Sequence, residues 1–116
     1  MSLRLRFDCV FYYVSDLDRA IQFYTETLGL TLTSRDAVAR FDIDGMLFEL
    51  VPMDDAAMLS GQGNARLTLA VDDIHQATAE LASRGVTVSD IHAVSNGLLT
   101  AFGDPDGNEI VLWQYT

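Results

Sequence analysis

Thiol and imidazole groups, which serve as nucleophiles, general bases and metal ligands, are few in this sequence. The chain contains one cysteine, Cys9, and two histidines, His75 and His92. No histidine lies near Cys9 in the sequence, which favours an inert buried thiol over an activated nucleophile. His75 falls in the first turn of a predicted helix and is expected to face solvent. His92 falls on a predicted strand, where it is either structural or at the rim of a binding surface. The glycine-containing stretch 61–65 lacks the Lys-Ser/Thr pair of a phosphate-binding loop.

The charge balance restricts the class of partner. The chain has 7 Lys plus Arg against 17 Asp plus Glu, a formal net charge of -10 at pH 7. This field repels phosphate backbones and anionic lipid surfaces, so neither nucleic acid nor a membrane is expected as a partner. It either attracts cationic ligands or only improves solubility.

Length and cysteine content indicate a small cytoplasmic domain. With 116 residues, 49% of them hydrophobic, the chain suits one domain spanning 1–116. A single cysteine allows no intrachain disulfide, which is typical of a reducing compartment. The first residues lack the continuous apolar stretch of a signal peptide, so the expected location is the cytoplasm.

One pattern occurs twice, at residues 42–51 (DIDGMLFELV) and 62 positions later at 104–113 (DPDGNEIVLW). Each copy places an Asp-x-Asp-Gly turn before a run typical of a strand. Because the chain is too short for two independent domains, the repeat predicts two similar units that share one core.

The first unit reads as a strand, a helix and three strands. A strand is predicted at 7–14 and a helix from a capping box at Ser15 and Asp18 to a C-terminal cap at Gly29. Strands at 31–34 and 38–43 follow, and Asp44-Gly45 predicts a tight hairpin into a strand at 46–52.

The second unit repeats that order. A strand is predicted at 65–71, a helix from Asp72-Asp73 to Gly85, and a strand at 86–94. Asn96-Gly97 predicts a hairpin into a strand at 98–103, and the turn at 104–107 leads to the last strand at 109–115. The predicted fold is therefore α+β, with two βαβββ modules pairing into a curved mixed sheet and helices on its outer face. The modules are placed at 5–52 and 65–116, with a linker at 53–64.

Three stretches carry a resemblance to a known family. They are VSDLDRAIQFYTETLGL at 14–30, AVDDIHQA at 70–77 and DPDGNEIVLWQ at 104–114. Together they resemble the vicinal oxygen chelate superfamily, which contains glyoxalases, bleomycin-resistance proteins and extradiol dioxygenases. The resemblance implies the fold but not the function, because this fold carries many chemistries.

In metal-dependent members, the resemblance implies a His or Gln from the first strand of each module and a Glu from the last strand. These positions fall on Cys9, Arg66, Glu49 and Val111, and only Glu49 matches. Val111 has no lone pair, and Arg66 brings a positive charge to the place of the cation. No metal or other cofactor is therefore expected, and an ion pair between Glu49 and Arg66 is predicted in its place.

Strand alternation assigns a pocket face around Glu49. Phe48 and Leu50 are expected under a helix, on the opposite face. The aromatic members of the pocket set are either ligand contacts or ordinary core and dimer-interface residues. The predicted ligand-binding set is Cys9, Phe11, Tyr13, Leu47, Glu49, Arg66, Thr68, Val111 and Trp113.

Three functions remain open on these residues. The leading prediction is a metal-free small-molecule binding protein of the glyoxalase/bleomycin-resistance type, a homodimer that holds an aromatic or cationic ligand. The alternative is a glyoxalase-like lyase or isomerase in which Glu49 is the general base and Arg66 stabilises the enediolate. The third is a structural or regulatory dimer with a vestigial cavity.

Overall fold

Eight strands form two four-stranded sheets, one from each half of the chain, in a computed structural model that describes residues 3–4, 6–55, 59 and 65–116. Much of the predicted linker lies outside the described residues. The first half contains β1 (Cys9–Val14), α1 (Leu17–Gln22), a π-helical turn (Phe23–Thr27), β2 (Thr31–Arg35), β3 (Ala39–Ile43) and β4 (Met46–Pro52). The second contains β5 (Leu67–Ala70), α2 (Ile74–Ser83), β6 (His92–Val94), β7 (Gly97–Gly103) and β8 (Glu109–Tyr115).

The two sheets have the same topology. The strand orders are β1-β4-β3-β2 and β5-β8-β7-β6; the pairs β1–β4 and β5–β8 are parallel and the other pairs are antiparallel. Each unit is thus one βαβββ module, and the predicted fold class is confirmed. None of the helices in the described part of the chain is long and apolar enough to cross a membrane.

Turn chemistry explains one hairpin as predicted and corrects the other. Asp44 and Gly45 both have positive φ angles, 52° and 81°, and Ile43 pairs with Met46. In the second module Val94 pairs with Gly97, so the two turn residues are at 95 and 96 rather than at 96 and 97. Gly97 is therefore the first residue of β7.

The start of the first helix differs from the predicted capping box, whereas that of the second does not. Asp16 caps α1 by accepting a hydrogen bond from the Arg19 backbone N–H at 3.1 Å. Ser15 is engaged elsewhere, since its hydroxyl donates to Asp106 of the second module at 2.6 Å. The second helix follows the prediction, with Asp73 as its cap.

Helix ends and one strand complete the comparison. Gly29 and Gly85 have φ angles of 76° and 84° after the helical segments, as the predicted C-terminal caps require. The strand predicted at 86–94 is shorter, with only His92–Val94 in β6. Val86 and Val88 instead pack on the core from an irregular segment, so their apolar pattern reflects burial and not a strand.

The core lies between the sheets and the helices, and strand alternation predicted its faces correctly. Phe48 and Leu50 are 1% and 0% exposed. The Tyr24 ring, from the helical side, packs 5.2 Å from the Phe48 ring and 6.0 Å from that of Phe41. Across the modules, the Phe23 and Phe102 rings are 6.4 Å apart. The two halves therefore share one core within the chain.

A buried polar network also joins the modules. The Tyr24 hydroxyl donates to Oδ2 of Asp104 at 2.8 Å, and Asp104 Oδ1 accepts the backbone N–H groups of Asp106 and Asn108, both at 2.9 Å. The Asn108 amide donates to Asp104 and to the Tyr13 carbonyl, each at 2.9 Å. The second Asp-x-Asp-Gly segment is thus both a turn and the site of the buried hydrogen bonds that join the two modules, here called the buried clasp.

Tyr12 makes a second link, between the edge of the first sheet and the start of the second. Its hydroxyl donates to the Glu109 carbonyl and accepts the Leu67 N–H, both at 2.7 Å. Leu67 pairs with Ile110 in the parallel ladder of β5 and β8. The hydroxyl therefore bridges two backbone groups at the end of that ladder.

Candidate functional site

The face of the first sheet that points away from the helices and the core carries a charged cluster around Glu49. Glu49 Oε2 accepts a hydrogen bond from Arg40 Nε at 3.0 Å, and Oε1 lies 3.6 Å from the Cys9 sulfur, which donates to it. Phe11 is the strand neighbour of Glu49, and its ring contacts that of Tyr13 at 5.3 Å. Cys9, Phe11, Tyr13 and Glu49 are thus brought to one face, as predicted.

The surroundings of Cys9 make it a poor nucleophile. Burial raises the pKa of its thiol, and the hydrogen bond to Glu49 adds to that effect. The reactive species of a cysteine is the thiolate, so a raised pKa lowers reactivity near neutral pH. The predicted inert thiol agrees with this environment.

Arg40 is the residue of this cluster that sequence reasoning missed. Its guanidinium contacts Asp36 at 3.1 Å as well as Glu49, and the hydrogen bond with Asp36 raises the pKa of Arg40. The Val38 N–H, donating to Asp36, lowers the pKa of that carboxyl. The hairpin signal contained this pairing: a two-residue turn at Asp44-Gly45 fixes the register that sets Arg40 opposite Glu49.

The predicted ion pair between Glu49 and Arg66 is wrong, because each has a nearer partner. Arg66 Nε contacts Glu109 Oε2 at 2.9 Å. Arg66 directly precedes β5 and Glu109 opens β8, and the pairing of Leu67 with Ile110 places them side by side. Each of these ion pairs joins two residues on neighbouring strands of one sheet, and the partner of Glu49 is therefore Arg40.

The second sheet carries the remaining predicted residues on its face that points away from the helices. Thr68 pairs with Val111, and Ala70 pairs with Trp113. The Trp113 ring packs against Tyr115 at 5.5 Å in an edge-to-face arrangement. His92 is exposed and pairs with Leu99, itself the strand neighbour of Trp113, whereas His75 is exposed on α2. His92 is thus on the edge strand of this sheet, near its aromatic end.

One cavity spans the boundary between the modules. It has a volume of about 450 Å³ and is lined by Leu47 of the first sheet together with Arg66 and Thr68 of the second. Apolar side chains such as Phe7 and Met46 form much of its remaining wall. Its size and lining suit a small organic molecule oriented by a cation and a hydroxyl.

The four positions that the family resemblance implies for metal ligands do not form a metal site. Both Glu49 carboxylate oxygens have protein partners, Val111 offers no donor atom, and Arg66 contacts Glu109. Within residues 3–4, 6–55, 59 and 65–116, no three His, Cys, Asp or Glu side chains are grouped to hold an ion. These donors do not fit a divalent cation, which needs three or four converging ligands.

Comparisons with known proteins agree with this fold. The family model of the Glyoxalase/Bleomycin resistance protein/Dioxygenase superfamily matches residues 6–112. TnmS3, an antibiotic-binding protein from Streptomyces sp. CB03234, is 30% identical, with a TM-score of 0.81 over 99% of this chain and 100% of that one.

Two further relatives are similar at comparable identity. A glyoxalase/bleomycin resistance protein from the same Streptomyces strain is 32% identical, with a TM-score of 0.71 over 91% of this chain and 98% of that one. Glutathione transferase FosA from Serratia marcescens is 31% identical over 104 residues, which are 85% of this chain and 73% of that protein. The chain belongs to the Glyoxalase/Bleomycin resistance protein/Dioxygenase superfamily.

Proposed function

We propose that this protein binds a small aromatic or cationic molecule without a metal ion and without chemical conversion. The observation that carries the proposal is the state of Glu49, whose two carboxylate oxygens are held by Arg40 and Cys9. A carboxylate with both oxygens engaged is a charged wall of a binding surface rather than a free metal ligand or base. The similarity to an antibiotic-binding protein over the whole chain supports the same function.

The composition of the two helix-free sheet faces supports the proposed ligand class. Phe11, Tyr13 and Trp113 supply aromatic surface, which binds planar molecules by stacking. The ion pairs Arg40–Glu49 and Arg66–Glu109 supply fixed charges that orient a polar group. The net charge of -10 raises the local concentration of a cationic ligand.

We further propose that two copies of the chain form a homodimer that buries some of the exposed apolar side chains. Phe11, Val94 and Tyr115 are 46%, 47% and 73% exposed in the single chain. The radius of gyration is 15.1 Å, against about 13 Å for a compact domain of this length. A folded domain that is less compact than usual and has exposed apolar side chains on its strands gains stability when a second copy buries them.

Elemental analysis and a thermal-shift screen test the binding proposal. Purified protein should contain far less than one equivalent of zinc, nickel, iron or manganese per chain. Cationic antibiotics and planar aromatic compounds that bind the native state should raise the melting temperature. One equivalent of metal, or a screen of such compounds with no shift, contradicts the proposal.

A matched pair of variants tests the role of Glu49. Glu49→Gln should weaken binding of a cationic compound more than Glu26→Gln does, although both remove one negative charge. Glu26 is an exposed residue of the helical segment, where it accepts a hydrogen bond from Gln22 at 3.1 Å. Equal effects would mean that the overall field, and not the Glu49 site, attracts the ligand.

An enzyme is the second candidate, favoured by the 31% identity to a glutathione transferase. In that case Glu49 would act as general base and remove a proton from the carbon next to a carbonyl group. Arg40, the cation nearest to Glu49, would stabilise the negative charge that develops on the substrate. Turnover of a glutathione hemithioacetal, or loss of the glutathione thiol with an electrophile, tests this function. Activity that Glu49→Gln abolishes would replace the binding proposal.

A further inference from the structure

Gly97 is a glycine for a reason other than backbone conformation. The turn residues precede it, and it pairs with Tyr115 at the start of β7. It is absent from the glycines with positive φ in the described chain, which are Gly29, Gly45, Gly85 and Gly107. An extended residue in a strand has no conformational need for glycine, and glycine weakens a strand. A close approach by another group is the remaining physical reason.

Two groups approach, the Gln114 backbone carbonyl and the indole of Trp113. A Cβ atom at position 97 would lie 2.6 Å from the Gln114 carbonyl oxygen, and 2.7 Å from Cζ2 and 2.9 Å from Cε2 of Trp113. All three distances are shorter than a Cβ atom tolerates, so the ring and the backbone of the neighbouring strand together occupy the space of the missing side chain. Gly103, at the other end of β7 and on the same face, has no atom closer than the Gly107 Cα at 3.6 Å.

The space left by the missing side chain of Gly97, here called the slot, determines which edge of the indole faces the protein. Nε1 is bonded to Cε2, one of the two carbons over Gly97, and it is buried with no acceptor among the described residues. A buried N–H without a partner is unfavourable, so the ring is held here by its packing and not by a hydrogen bond. Tyr115 supports the ring edge-to-face, and the strand neighbours Ala70 and Leu99 are aliphatic.

We propose that Gly97 is a positioning residue, whose missing side chain makes the slot that holds Trp113 as the stacking platform for a planar aromatic ligand. The inference rests on the proposed binding function and narrows its ligand class. A ring pinned on one side against β7 is preorganised, so stacking does not require the side chain to be ordered on binding. A side chain at position 97 would displace the indole and remove that advantage.

Calorimetric titration with 9-aminoacridine, a planar aromatic cation, tests the proposal in the full chain. Gly97→Ala should weaken binding by about fivefold to tenfold, and Gly103→Ala should leave it within about twofold, because only the first crowds the indole. Trp113 is the single tryptophan, so its emission reports the ring directly. That emission should shift to longer wavelength in Gly97→Ala and stay unchanged in Gly103→Ala.

A double-mutant cycle shows whether Gly97 acts through Trp113. Trp113→Leu should weaken 9-aminoacridine binding by a similar factor, and adding Gly97→Ala to that variant should cause no further loss. Wild-type affinity in a folded Gly97→Ala protein, or an equal further loss in the Trp113→Leu background, overturns the proposal. Should Gly97→Ala not fold, unchanged binding by Trp113→Leu alone overturns it. If no compound binds the wild type, the proposed function itself fails. If the wild type binds and the Gly97→Ala variant binds equally well, only the role of Gly97 fails.

Discussion

The hydroxyl of Tyr24 should contribute measurably to the stability of the whole chain. Tyr24→Phe removes one of the donors to the buried Asp104 carboxylate, a hydrogen bond of 2.8 Å, and leaves three. Both groups are buried, at 0% and 6% exposure. A hydrogen bond to a charged group contributes about 1.5–3 kcal/mol, so the free energy of unfolding should fall by about 2 kcal/mol. The ring remains, so no cavity is created.

Urea unfolding at pH 7, followed by circular dichroism, measures this loss, and the melting temperature should fall by about 8 °C. Tyr13→Phe, in β1 of the same module, is the matched control, because the Tyr13 hydroxyl has no hydrogen-bond partner within the described chain. That control should change stability by less than about 0.5 kcal/mol. Equal losses in the two variants would refute the argument that the buried clasp stabilises the chain.

The stability difference between wild type and Tyr24→Phe should also depend on pH. Burial raises the pKa of the Tyr24 phenol well above its usual range, and the Asp104 carboxylate adds to the shift. An unfolded tyrosine ionises at about pH 10, whereas the folded Tyr24 stays protonated there. Its contribution is therefore complete below that pH and is lost above it, by up to about 1.4 kcal/mol per pH unit. The stability difference between wild type and Tyr24→Phe should narrow above about pH 10, and a constant difference from pH 8 to 11 would refute the assignment.

Three further predictions follow from single contacts. Cys9 should react with iodoacetamide at pH 7.5 more slowly than free cysteine, because burial raises its pKa; a rate equal to that of the free amino acid would contradict this. Asp73→Ala removes the cap that accepts from the Gln76 N–H and should cost about 1 kcal/mol in urea unfolding. Tyr12→Phe leaves the Leu67 N–H without its present partner and should destabilise the protein by about 1–3 kcal/mol; amide exchange at that residue should accelerate, and unchanged exchange would show another acceptor.

Local signals predicted the fold well because the same turn and cap chemistry occurs twice. The hairpin at Asp44-Gly45 and the cap at Asp73 depend only on residues within a few positions. The prediction of Ser15 as a cap is wrong because its partner, Asp106, lies in the other module. No local pattern reveals a contact of that range.

The candidate site was predicted in part, and the register of the strands explains the difference. The pairing of Arg40 with Glu49 follows from the length of the hairpin between them. The pairing of Arg66 with Glu109 joins parallel strands, whose relative position no short turn fixes. The Asn-Gly pair is a strong hairpin signal and predicts Gly97 as a turn residue, and only the position of the Trp113 ring shows why glycine is needed there.

The π-helical turn accounts for a difference in length between the two modules. Thirteen positions separate the cap Asp16 from Gly29, and twelve separate Asp73 from Gly85. Tyr24 and Leu81 each lie eight positions after their caps. The bond that closes the segment then runs from Leu30 N to the Tyr24 carbonyl in the first module and from Val86 N to the Leu81 carbonyl in the second. The first module thus accommodates one more residue than the second in a wider turn of backbone after its buried residue, and any alignment of the two repeats needs a one-residue gap at that point.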